Sequence, residues 1–107
     1  MKDVVRVVME FGITLVEKQH DCFVNETLDN SEHVPAIRRI AEAAYAYLKS
    51  IGIDIETAKK VRHTLIGRGR ELFVSEWMMS CEEFQEPLTE KDRREAKRTF
   101  DELLKSE

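Results

Sequence analysis

The chain has 107 residues, 36% of them charged and 42% apolar, and a formal net charge of −4. That length supports one domain with a modest core, spanning residues 1–107, and the acidic balance gives no global attraction for nucleic acid or an anionic membrane. With only four glycines and two prolines and no low-complexity tract, the composition argues against disorder.

A first helix is expected from about Asp3 to Asn25. At about 100° per residue, Val4, Val8, Phe11, Leu15 and Cys22 share one line, with Val5, Gly12, Val16 and Phe23 beside it. Such a broad apolar arc suits a helix touching two neighbours. The opening Val-Val-Arg-Val-Val also suits a strand, because β-branched residues are stiff at χ1. Strict alternation nevertheless fails at Val4-Val5 and Val7-Val8, whereas the helical lines persist to Phe23. Arg6 and Glu10 interrupt the segment, so it is too charged to span a bilayer. It also lacks the basic start and cleavage site of a signal peptide. The expected compartment is therefore cytoplasmic, where Cys22 and Cys81 remain thiols.

A second helix follows, with Asn30 or Ser31 as its N-cap and Pro35 within the first turn. Ile37, Ile40, Ala41, Ala44, Tyr47, Leu48 and Ile51 form its apolar stripe, and Gly52 stands where a left-handed C-cap belongs. The third helix starts after Asp54, a second N-cap, with Thr57 in its first turn. Ala58, Val61, Leu65, Gly69 and Leu72 fall on one line, and Ile66, Phe73 and Trp77 lie beside it. The register is the same before and after Gly67-Arg68-Gly69, which calls for one long helix, able to bend there. Gly69 lies on the inward stripe and Gly67 points away. Each glycine lowers helix stability by about 1 kcal/mol relative to alanine. The fourth helix opens near Thr89, with Asp92 in the place of a capping-box partner, and carries the narrow stripe Ala96, Phe100, Leu103 and Leu104.

The expected fold is all-α: a four-helix up-down-up-down bundle with a long third helix able to bend at Gly67-Gly69. The first and third helices then run the same way, bringing inward-facing Cys22 and Cys81 towards one end of the bundle.

Few groups suggest chemistry. Glu17 and His20 have the Glu-x-x-His spacing of di-metal bundles, but the motif occurs once, so the expectation is a solvated helix edge and no metal. His33 and His63 stand apart from it. Glu82, Glu83 and Glu86 resemble the first half of the Mg²⁺-binding pattern of all-α nucleotide pyrophosphohydrolases. The second half is absent downstream, which leaves three carboxylates on a solvated turn. No serine sits in a nucleophile elbow. No catalytic residues, cofactor or enzyme activity are therefore expected.

Two readings remain. The first is a small non-catalytic protein acting by protein-protein interaction, of adaptor, inhibitor, immunity or regulatory type. Its contact residues are Arg62 and Glu76, charges near the apolar line of the third helix, with Trp77, Met78, Arg68 and Arg70 beside them. A homodimer is one form of that contact. The alternative is a nucleic-acid-associated factor using the basic flank Lys59, Lys60, Arg62, His63, Arg68 and Arg70, extended by Arg38 and Arg39.

Overall fold

The computed structural model describes residues 2–25, 30–83 and 90–105, the side chains at 2, 23–25, 30, 31 and 79–83 excepted. It is an all-α four-helix bundle: α1 Lys2–Asn25, α2 Asn30–Ser50, α3 Ile55–Glu83 and α4 Glu90–Lys105. The 29-residue α3 sets the long dimension of a body measuring 50 × 27 × 25 Å. None of the helices, among the described residues, is long and apolar enough to cross a membrane.

The turn from α2 to α3 shows why these helices stop and start where they do. Gly52 has φ of 90°, which a side chain would make costly. Its N–H donates to the Lys49 carbonyl and that of Ile53 to Leu48, so the last carbonyls of α2 are satisfied in a Schellman motif. Two residues on, the Asp54 carboxylate accepts from the Thr57 N–H (3.0 Å) and hydroxyl (2.9 Å), capping α3. Those bonds hold the Asp54 pKa below the usual carboxylate value, the Thr57 N–H contributing most. Pro35 lies in the second turn of α2, not the first, because the helix already begins at Asn30. The Thr89 cap lies outside the described residues.

α2 and α3 form the central pair. Glu42 meets Arg62 and Ile37 meets Gly69, so positions advance in opposite order along the two helices. Along α1 and α3 they advance together, Gly12 against Leu65 and Glu17 against Arg68. Along α3 and α4 they oppose again, Arg70 with Asp101 and Phe73 with Phe100. α1 and α4 each pack on both central helices and, among the described residues, do not touch one another.

The core is built from Val16 of α1, Val34, Ile37, Ala41 and Leu48 of α2, Ala58, Val61, Leu65 and Phe73 of α3, and Ala96 and Phe100 of α4. α4 thus contributes to the core more than its narrow stripe suggests. Its Phe100 ring lies 5.5 Å from Phe73 and is fully buried. α3 continues unbroken through both glycines. A Cβ on Gly69 would stand 2.6 Å from the Ile37 methyl, whereas one on Gly67 meets nothing within 4 Å. A Cβ on Gly12 would likewise strike the Leu65 methyls at 2.8 Å. Missing side chains therefore set the approach of α3 to both α1 and α2.

Candidate functional site

The arginines singled out from the sequence are brought to three different sides of α3. Arg62 turns to α2, where its guanidinium lies 4.3 Å from the Tyr45 ring centroid and 3.6 Å from the Glu42 carboxylate. Arg68 turns to α1 and donates to Glu17 at 2.9 Å, with Glu71 of its own helix at 3.2 Å. These carboxylates, Glu17 foremost, raise the Arg68 pKa further. Arg70 turns to α4, donating twice to Asp101 (2.8 and 3.1 Å) over the Phe100 ring. Arg68 and Arg70 are two positions apart, about 200° around a helix, and therefore diverge. Arg38 donates to the Leu104 carbonyl. Each of these guanidiniums ties α3 or α2 to a neighbour, which answers how Arg62, near the core line, is tolerated.

Trp77 is half-buried with its ring 5.9 Å from Phe73, packed against the core. Glu76 and Met78 are half-buried too. Met78 lines a shallow α3/α4 cleft of about 630 Å³ whose rim carries Arg70, Arg93 and Lys97. Met78 thus sits on the α4 side while Arg62 sits on the α2 side, and the six residues do not form one surface.

The histidines need correction. His20 is not a solvated helix edge, and His33 does not stand apart. The two rings lie 6.1 Å from each other across the α1/α2 contact, and His33 is fully buried. Burial, and secondarily the charge of His20, lower the His33 pKa to about 4. Glu17 points to α3 instead, so the Glu-x-x-His pair is divided between two neighbours. Among the described residues no three His, Cys, Asp or Glu side chains gather as a metal site. Glu86 and the side chains of Glu82 and Glu83 lie outside the described set.

The surface missed by the sequence reading is on α1. Its inward residues are Gly12 and Val16, with Val5, Val8 and Met9 half-buried. The neighbouring line points out: Val7 is 58% exposed, Phe11 63% and Leu15 37%. Cys22, on that line, is exposed as well, which corrects its inward assignment; Cys81 is outside the described side chains. Across the helix contact, Tyr47 of α2 is 51% exposed although it belongs to the α2 stripe. These side chains rim an apolar groove of about 500 Å³ floored by Gly12, Ile40, Ala43 and Ala44, with Arg39 as its one charged lining residue.

The groove has a simple origin. α1 carries more apolar arc than two neighbours cover, and α4, the remaining helix, docks on the far side of the α2–α3 pair. Scattered exposed apolar residues are ordinary, but a contiguous set beside a hollow marks a contact site. Leu15 and Phe11 at helical spacing were visible as an apolar line; nothing local reveals that the line is left uncovered. No family model, no curated protein and no solved structure matches this chain.

Proposed function

We propose that this protein is a non-catalytic module, of adaptor, inhibitor, immunity or regulatory type, that works by protein-protein interaction through the α1/α2 face. One observation carries this reading: Val7, Phe11, Leu15 and Tyr47 stand exposed around a single apolar groove. Covering that groove with another protein removes apolar surface from water at about 25 cal/mol per Å², with Phe11 and Tyr47 as aromatic anchors of the type that dominates interface energetics. The basic flank of α3 lends no comparable support to nucleic-acid binding, since Arg62, Arg68 and Arg70 are engaged within the bundle on separate sides.

The test is site-specific photocrosslinking in cells expressing the protein at low level. A photoreactive phenylalanine analogue at position 11 or 47 is expected to give a discrete protein adduct, while the same group at exposed Arg94 or Glu102 gives none. Equal, diffuse labelling at all four positions refutes the assignment of the α1/α2 face.

A further inference from the structure

Resting on that reading, we infer that the occupant of the α1/α2 groove is a second copy of this chain, seated face to face with α1 antiparallel to α1. The first argument is width. The strip from Val4 to Cys22 is about 27 Å long at 1.5 Å per residue, and two packed helices span roughly 18 Å. One copy thus offers on the order of 500 Å², and two copies facing each other bury about the 1,000 Å² at which specific interfaces begin. A lone helix in the groove covers only about half the width of this surface. An occupant that presents two helices side by side buries more of this surface than one helix lying in the groove, and the α1/α2 face of another copy does so.

The second argument is shape. A two-fold contact needs a surface that fits itself. This one carries the projecting row Val7, Phe11 and Leu15 next to the hollow over Gly12, Ala43 and Ala44. With Phe11 near the axis, Val7 of one copy falls opposite Leu15 of the other and the two Phe11 rings meet across the axis, closing the two hollows against each other.

The third argument is charge. Lys18 and Arg39 lie at the Leu15 end of the strip and Asp3 at the Val7 end, all exposed, while Glu10 sits beside the Phe11 axis. Glu10 also has Arg6 of its own helix at 3.9 Å. Antiparallel seating sets each end on its opposite. Lys18 comes level with Asp3 of the second copy, and Arg39 comes level with its Tyr47 ring, a cation–π pairing. This is a different face from the Arg62, Glu76 and Trp77 contact expected from sequence.

Sedimentation equilibrium on the purified full chain tests the inference. A reversible dimer in the micromolar range is expected, with Phe11→Asp and Tyr47→Asp each weakening association at least roughly 30-fold while circular dichroism shows unchanged helicity. Lys18→Glu is expected to weaken the dimer several-fold, and Lys18→Glu combined with Asp3→Lys to restore it. A monomer across that range overturns the inference. So does a dimer indifferent to Phe11→Asp and Tyr47→Asp, or a charge exchange that fails to restore binding. A monomer whose position 11 still crosslinks to a different protein in cells overturns the second copy and leaves the interaction face standing. A monomer with no crosslink ends both.

Discussion

Gly67 and Gly69 are two positions apart on one helix and are expected to respond to alanine in opposite directions. Either substitution gains up to about 1 kcal/mol of helix propensity. At Gly67 nothing stands within 4 Å of the new Cβ, so the gain is kept. At Gly69 the new Cβ would lie 2.6 Å from Cγ2 and 2.8 Å from Cδ1 of Ile37. Ile37 is fully buried, and a β-branched side chain in a helix has one strongly preferred χ1, so Cγ2 cannot swing aside. Overpacking of this kind costs about 1–3 kcal/mol, which exceeds the propensity gain. Gly69→Ala is therefore expected to destabilise the fold by about 1 kcal/mol, leaving the two variants about 2 kcal/mol apart, or roughly 10 °C in Tm. Urea unfolding followed by helical circular dichroism, at one fixed protein concentration, measures both. A cycle with Ile37→Ala adds a check. The double variant removes every Ile37 atom in the clash, so its loss should fall short of the sum of the single losses by at least about 1 kcal/mol. If Gly69→Ala raises the urea midpoint as Gly67→Ala does, the close approach of α2 and α3 is not what keeps glycine there.

Stability should fall with acid through His33. Its folded-state pKa is lowered from 6.5 to about 4, so the unfolded chain takes up the proton first. The contribution is whole above the ordinary histidine value and is lost as pH falls towards the folded one. The shift corresponds to at most about 3 kcal/mol. Urea midpoints at about pH 7 and about pH 5 should therefore differ more for the wild type than for His33→Gln; parallel profiles would show that another group titrates. Arg62 is expected to couple to Tyr45 by about 1 kcal/mol, more than it couples to the half-exposed Glu42. Double-mutant cycles with alanine decide this, and a larger coupling to Glu42 would assign the role to the ion pair.

Much of the architecture follows from short-range chemistry. Gly52 and Asp54 mark the α2/α3 turn because a left-handed C-cap and a side-chain N-cap act within four residues. The matching register on either side of Gly67-Arg68-Gly69 identifies one helix, and it separates the inward glycine from the outward one, because 3.6-residue periodicity persists locally. The surroundings of Arg62, Arg68 and Arg70 were not legible in the same way. Their directions around α3 follow from spacing, but which helix lies in each direction does not. His20 and His33 belong to different helices, and their meeting depends on how α1 and α2 align.

The same holds for the candidate site. Periodicity places Phe11, Leu15 and Cys22 along one side of α1 and Tyr47 on the stripe of α2, and it marks all of them as apolar-facing. Whether such a side is core or surface depends on what else reaches it. α4 binds α2 and α3 on the side away from α1, contributing Phe100 to the core there and leaving the α1/α2 groove open. Helical propensity, caps and apolar period are properties of neighbouring residues, and the sequence states them directly. Coverage of a face is decided by the non-local competition among helices for the same partners, so it emerges only when the whole chain is packed.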